Sequence, residues 1–213
     1  MALVEDLQAA ALQTKPDVAN VLQRALVVAT KLNLQKFKSW IQLELDGYPN
    51  GVEPPLYRML QGQLSYWNPF HGTQGASIGD PQMDSEVSKV RMRESITRIQ
   101  HLLDASKNQI KIIPPPLLQQ QLMRYFELEV EFYLIVATHQ LKGIMGAVIT
   151  EIIQWTLKLE ADGILGEGMR FSDAEKSRAV KNEDKLTPTF ILNFIGRMDH
   201  SQIQQYSPGA SQR

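Results

Sequence analysis

The sequence predicts an α+β fold, in which an N-terminal helical bundle is followed by a small mixed or antiparallel sheet packed on one long helix. Apolar residues recur at helical spacing up to residue 47, apolar and polar residues partly alternate from Tyr57 onward, and the longest helical pattern covers 139–160. A chain of 213 residues, 43% of them hydrophobic, can bury one core. We therefore expect a single domain over 3–196, with a helical subregion at 3–47, the sheet and long helix at 57–196, and a flexible Ser/Gln-rich tail at 197–213.

Three helices are predicted at the N-terminus. Thr14 followed by Asp17 resembles a capping box that begins the second helix, with Pro16 in its first turn. The third helix runs from about 34 to 46, and Gly47 is expected to end it in the left-handed conformation. The inward positions of the three helices are Leu3, Val4, Leu7, Ala11, Val18, Val21, Leu22, Ala25, Ala29, Leu32, Phe37, Trp40, Ile41 and Leu45.

The middle of the chain is predicted to alternate between loops and short strands. Prolines make "YPNGVEPPLY" a loop, and a strand over Tyr57–Trp67 follows, in which Gly62 indicates a bulge or a close backbone approach. The segment 68–82 has the composition of a surface loop. "VSKVRMRES" fits a strand or a helix, and its alternation favours a strand. A helix at 93–105, a short strand "QIKII" and helical turns at 116–126 come next.

The last third of the chain is predicted to contain a strand and the longest helix. The strand "LEVEFYLIVAT" begins half exposed and ends buried, and Thr138 is expected to cap the long helix that follows. Its apolar stripe is wide enough to be covered on more than one side. The glycines of "ADGILGEG" end this helix. "SDAEKSRAVK" then predicts a short polar helix, and "TPTFILNFI" predicts a last strand.

The composition excludes several classes of protein and site. A net charge of -1 and a pI near 6.4 argue against a protein whose main task is to bind nucleic acid. The absence of cysteine excludes disulfides, thiolate metal sites and a Cys nucleophile. We find no signal peptide, and no stretch approaches the roughly 20 apolar residues of a membrane span. A cytoplasmic protein without membrane contact is expected.

Motifs for catalysis are not found, so no catalytic residue, cofactor or metal is predicted. The four histidines, His71, His101, His139 and His200, have no carboxylate or second histidine at ligand spacing. "GILGEG" follows a helix, whereas a phosphate-binding loop follows a strand, so we interpret it as a helix terminator. Alternation on a half-exposed strand explains Glu127, Glu129 and Glu131 without paired acid catalysis.

A basic set on and beyond the strand at "VSKVRMRES" has two interpretations. It would bind an anion or a nucleic acid strand, with Tyr66 and Trp67 as stacking partners. Alternatively, its charges protect an edge strand from pairing with another sheet, and we favour this explanation. The set comprises Lys89, Arg91, Arg93 and Arg98.

Two stretches together resemble a known family. "ELDGYPNGVEPPLYR", in which Gly47 and Tyr48 lead through a Pro-rich loop to Tyr57 and Arg58, resembles the signature of the AbiTii domain of bacterial abortive-infection proteins. The helical lead-in "LQRALVVATKLNLQKFKSWIQLEL" and the junction "FYLIVATHQLKGIMGAVITEIIQWTLKLE" are similar to the same family, as is the ending "HSQIQQYSPGASQ". The resemblance implies phage defence and no particular mechanism.

Two functional hypotheses follow from these observations. The preferred one is a non-catalytic sensor, adaptor or assembly module that binds a protein partner or itself. Its folded body would use the loop residues Gly47, Tyr48, Tyr57 and Arg58, unless that loop simply packs over the core. Self-association by stacked strand pairing would use the tail residues Gln202, Ile203, Gln204 and Gln205. The alternative is that this tail is disordered. The second hypothesis is a toxin-like effector enzyme that acts on nucleic acid or nucleotides.

Overall fold

A computed structural model describes residues 2–188 and residue 191 of the chain. Its helices are α1 (Leu3–Ala11), α2 (Val18–Leu32), α3 (Gln35–Asp46), α4 (Pro81–Val87), α5 (Ile96–Ala105), α6 (Pro116–Phe126), α7 (Thr138–Ala161), α8 (Asp173–Lys181) and α9 (Glu183–Leu186), and a 3-10 helix covers Leu56–Arg58. Its strands are β1 (Met59–Gln61), β2 (Gln63–Asn68), β3 (Gly72–Gly75), β4 (Lys89–Arg91), β5 (Gln109–Ile112) and β6 (Phe132–Ala137). The predicted α+β class is confirmed. Over the described part of the chain, every helix is too short or too polar to cross a membrane.

The chain forms two compact units, each assembled from separate segments. The first unit takes the described residues of Met1–Pro55, Arg93–Thr97 and Met145–Arg213, and the second takes Leu56–Met92 and Arg98–Ile144. The single domain over 3–196 and the packing of the sheet on the long helix stay predictions.

The first unit is helical, and its core contains a pair of stacked aromatic rings. Phe37 of α3 and Trp155 of α7 have ring centroids 3.9 Å apart, and both side chains are fully buried. Burial of each ring stabilises the fold by about 1.5–3 kcal/mol. Helix α2 begins at Val18 because Asp17 Oδ1 accepts a hydrogen bond of 3.0 Å from the N–H of Asn20. Asp17 is therefore the cap, and the capping role predicted for Thr14 is wrong.

The second unit is built on antiparallel strands. Four of them form a sheet of order β3-β2-β6-β5, and β1 pairs with β4 separately. Strand β6 lies inside the sheet, where Leu134 faces Leu64 of β2 in the register. Phe132 of β6 is fully buried, with the rings of Tyr66 and Phe126 at centroid distances of 5.7 and 5.2 Å. This central position explains why the second half of the predicted strand is apolar on both faces.

Gly62 divides the strand that was predicted over Tyr57–Trp67. A Cβ at Gly62 would lie 2.8 Å from Cβ of Leu134, so the predicted close approach is confirmed and only glycine fits without a shift. The 3-10 helix and β1 precede this glycine, and β2 follows it.

Three other segments differ from the prediction. The segment 68–82 holds β3 and the start of α4, where Asp80 Oδ1 accepts 2.9 Å hydrogen bonds from the N–H groups of Gln82 and Met83. Residues 128–131 lie outside the strand predicted for them, since β6 begins at Phe132. The strand predicted for "TPTFILNFI" lies mostly outside the described residues, and it is wrong at Ile191, which is helical.

Candidate functional site

The first unit contains an open cleft at the end of α3. Its volume is about 870 Å³, and it lies between the last turns of α3, the loop that follows, and the segment 93–95. The loop is the first part of the predicted family signature, which makes this cleft the candidate site. The lining residues are Ser39, Gln42, Leu43, Asp46, Gly47, Tyr48, Pro49, Asn50, Arg93, Glu94 and Ser95.

Gly47 sets the path by which the chain leaves α3. Gly47 ends α3 as predicted. Its backbone has φ 92° and ψ 168°, so the left-handed helical conformation predicted for it is wrong, although the positive φ still favours glycine. A Cβ at this position would lie 3.0 Å from the carbonyl oxygen of Arg93. The N–H of Gly47 donates to the carbonyl of Leu43 at 2.9 Å. The signature glycine therefore permits a close backbone approach that a larger residue would obstruct.

Two hydrogen bonds of Tyr48 join the start of the loop to α3 and to the segment 93–95. Its backbone N–H donates to the carbonyl of Arg93 at 2.8 Å, and its hydroxyl donates to Oε1 of Glu44. Glu44 is fully buried and Tyr48 is nearly so. Glu44 was not predicted as an inward residue. Its position seven residues after Phe37 and three after Ile41 puts it on the buried stripe of α3, and this spacing is the local signal that would have found it.

Arg93 holds the Pro-rich loop from the other side. One guanidinium nitrogen donates to the carbonyls of Pro49 and Val52, at 2.8 and 2.7 Å. Arg93 belongs to the basic set for which protection of an edge strand was favoured over anion binding, and the structure places it in the frame of the cleft. Its charge is already directed at two carbonyl oxygens, which satisfy part of its hydrogen-bonding capacity.

The open face of the cleft carries polar side chains that the sequence analysis missed. Gln42, Asp46, Asn50 and Glu94 are all exposed. Asp46 is the last residue of α3, where unsatisfied carbonyl groups give the helix end a partial negative charge. This surface therefore combines carboxylates, amides and a negative helix end, a set that suits hydrogen-bond donors and cations.

The second half of the signature belongs to the second unit and does not line the cleft. Tyr57 is half-buried, and Arg58 is fully buried in the 3-10 helix. A guanidinium nitrogen of Arg58 donates to the carbonyl of Met92 at 3.1 Å, and the N–H of Met92 donates to the carbonyl of Arg58 at 2.9 Å. The contacts of Arg58 thus join the start of β1 to the end of β4.

The rest of the predicted basic set lies in the second unit. Lys89 and Arg91 are exposed at the ends of β4, and Arg98 is exposed on α5. Lys89 pairs with Glu86 at 2.6 Å, and Arg91 faces Met59 of β1 in the strand register. Lys89 therefore already has an acidic neighbour three residues away.

The other predicted groups are scattered. His71, His101 and His139 are exposed at separate places in the second unit, whereas His200 and the tail residues Gln202, Ile203, Gln204 and Gln205 lie outside the described residues. Within 2–188 and 191, no three His, Asp or Glu side chains are close enough to hold a metal ion. Glu127 ends α6 in the left-handed conformation, with φ 52°, so it and Glu129 and Glu131 precede the strand rather than alternate along it.

The loop 163–168, interpreted as a helix terminator, is held by a carboxylate. Glu175 Oε1 accepts hydrogen bonds of 3.0 Å from the N–H groups of Leu165 and Gly166, and Oε2 accepts from the N–H and hydroxyl of Ser172 at 2.7 Å. Burial alone would raise the pKa of Glu175, but these hydrogen bonds outweigh it and lower the pKa from 4.5 to about 2. The carbonyls of the same loop accept hydrogen bonds from the first N–H groups of α1. The N–H of Leu3 donates to the carbonyl of Gly166 at 2.8 Å, and the N–H of Val4 donates to the carbonyl of Leu165 at 3.1 Å.

Comparison with known proteins gives one match. The AbiTii family model matches residues 2–184, which is more than half of the chain. This match confirms the resemblance predicted from the signature loop. No curated protein and no solved structure matches the chain.

Proposed function

The chain belongs to the AbiTii family, and from this premise we propose that it is a non-catalytic component of abortive infection. Membership of the family supports a role in this form of phage defence. In our proposal the protein acts as a sensor, adaptor or assembly module in the cytoplasm. Its contact with a partner protein is made at the cleft beside α3.

The observation that carries this proposal is the rigid construction of the signature loop. The hydrogen bonds of Gly47, Tyr48 and Arg93 fix the loop backbone at its beginning and along its length. A surface that is ordered before it meets its partner loses less conformational entropy on binding. The buried hydrogen bond from the Tyr48 hydroxyl to Glu44 also holds the start of the loop in place.

The chemistry of the cleft favours a partner segment that carries lysine or arginine. Asp46 presents an exposed carboxylate, and the negative end of α3 reinforces its charge. Arg93 is directed at the carbonyls of Pro49 and Val52. Electrostatic complementarity of this kind speeds association and rejects acidic surfaces.

A charge reversal at Asp46 tests the proposal. Asp46→Lys should weaken partner binding by about 1–2 kcal/mol, which is about fivefold to thirtyfold in affinity. The number of plaques formed by a restricted phage should rise by a similar factor. Asp104→Lys is the matched control, because Asp104 is also an exposed aspartate in the last turn of a helix but lies on α5, outside the cleft. Both changes should leave the melting temperature within about 2 °C.

Two results would contradict the proposal. Full protection by Asp46→Lys at normal protein levels would remove the cleft from the function. Turnover of RNA, single-stranded DNA or nucleoside triphosphates by the purified full chain would overturn its non-catalytic part.

A further inference from the structure

The turn between β2 and β3 presents two large aromatic side chains to solvent. Phe70 is 90% exposed and Trp67 is 57% exposed. Scattered apolar residues are common on protein surfaces, but adjacent exposed aromatics are typical of contact sites. From this feature we infer that copies of the chain associate, with the β2–β3 tip of one copy docked in a cleft on α6 of another. This inference is independent of the cleft beside α3.

The tip is held in one conformation. Asn68 Oδ1 accepts hydrogen bonds from the N–H groups of Phe70 at 2.8 Å and His71 at 3.2 Å. Gly72 has φ 73°, and a Cβ there would lie 3.8 Å from the ring of Trp67, so the ring covers this glycine. Strand pairing continues directly from the turn, with Trp67 facing Thr73. A preorganised aromatic anchor loses little entropy when it docks.

The receiving cleft lies in the same unit, at the end of α6. It has a volume of about 430 Å³. Met123 and Leu128 are half-buried and supply apolar walls, and the thioether of methionine makes favourable contacts with aromatic rings. Arg124 is exposed at the cleft, where its guanidinium can lie over a ring. The lining residues are Gln120, Met123, Arg124, Glu127, Leu128 and Glu129.

The absence of charge on the tip favours a second copy of this chain as its partner over nucleic acid or an anionic membrane. The segment 63–79, which contains the whole β2–β3 tip, has no Lys, Arg, Asp or Glu. Phosphate backbones and anionic lipid headgroups are bound with Lys and Arg, so the tip does not suit them. An uncharged tip can instead enter the cleft between Glu127 and Glu129 without placing like charges together. The aromatic rings of the tip would then contact the apolar walls and Arg124 of the cleft, and the tip brings no charge toward its carboxylates.

The test uses the full chain and measures its solution mass by light scattering over a concentration series. The wild type should associate, whereas Phe70→Ser should be a monomer of 24.1 kDa. Gln120→Trp should also be a monomer, because Gln120 is exposed on α6 and a tryptophan there would fill the cleft. Each change should weaken association by about tenfold or more. Leu117→Ser is the control, since Leu117 is 70% exposed on α6 but does not line the cleft.

Mixing the two monomeric variants gives the decisive result. The Gln120→Trp protein keeps its tip and the Phe70→Ser protein keeps its cleft, so an equimolar mixture should form a pair of twice 24.1 kDa. A mixture that stays monomeric would exclude docking of the tip in the cleft. A wild type that is monomeric at high concentration, or association that persists in Phe70→Ser, would also overturn the inference. Far-UV circular dichroism would show that each variant is folded.

Discussion

Replacing Glu175 by glutamine tests how the loop 163–168 is held. Glutamine has the size of glutamate but no charge. Its amide oxygen can accept either from the N–H groups of Leu165 and Gly166 or from Ser172, whereas its amide nitrogen cannot accept the other set. A pKa of about 2 in the folded protein against 4.5 ordinarily corresponds to about 3 kcal/mol of preference for the charged form. Because Glu175 is partly exposed, solvent screening reduces this contribution to about 2 kcal/mol.

The pH dependence has a definite sign. The folded-state pKa of Glu175 is depressed, so its contribution is fully present above pH 4.5 and is lost as the pH falls toward 2. The free energy of unfolding of Glu175→Gln should therefore lie about 2 kcal/mol below that of the wild type at pH 7, and about 1 kcal/mol below it at pH 3. Urea denaturation of both proteins at the two pH values measures this difference.

The control is Asp173→Asn in the same helix turn. Asp173 also lies at the N-terminus of α8, but its side chain is 99% exposed and contacts only Lys176 among the described residues, at 3.1 Å. Its loss should cost no more than about 0.5 kcal/mol. An equal loss in the two variants would mean that any carboxylate near the helix end suffices. A Glu175→Gln difference that does not change between pH 7 and pH 3 would refute the linkage argument.

Two further predictions concern the signature residues. Arg58→Ala should lower the free energy of unfolding by about 2–4 kcal/mol, because it removes a fully buried side chain and its hydrogen bond to Met92. Urea denaturation measures this loss. Unchanged stability together with lost phage protection would instead favour a binding role for Arg58. Gly47→Ala should cost about 1–3 kcal/mol, and more than Gly51→Ala, because both glycines have φ near 90° but only at Gly47 would a Cβ meet the carbonyl of Arg93. Equal melting temperatures of the two alanine variants would contradict the close approach.

Local patterns were enough to predict most of the fold. The helices α1 to α3, α5 and α7 follow from helical periodicity, and the strands β5 and β6 follow from their β-branched and apolar residues. Strand β3 was missed because "GTQG" has no apolar alternation, and pairing with β2 determines its conformation. Helix α4 was missed although Asp80 before Pro81 is a local start signal. The close approach at Gly62 was predicted because glycine inside a strand pattern indicates it, whereas the division of the strand into β1 and β2 was not predicted.

The candidate site was less predictable because it depends on contacts between distant residues. The sequence identified the signature loop, but the cleft appears only when 93–95 lies beside the end of α3. Arg58 was expected on a loop surface, and its burial follows from its contact with Met92, 34 residues away. A buried carboxylate such as Glu44 likewise depends on its hydroxyl partner rather than on helical periodicity alone.

Arg93 shows why a charged residue cannot be assigned to a ligand by composition. In the sequence it is one of four cations within ten residues, a pattern that fits an anion site or the protection of an edge strand. In the fold its guanidinium is directed at carbonyl oxygens 41 and 44 residues earlier. Hydrogen bonding to these carbonyls uses donors that an anion would otherwise receive. The same contacts order the loop beside Asp46 and Asn50, so the cation that suggested nucleic acid instead supports a surface whose exposed charges are negative. Arg93→Gln should therefore loosen that loop and weaken partner binding, rather than weaken the binding of phosphate.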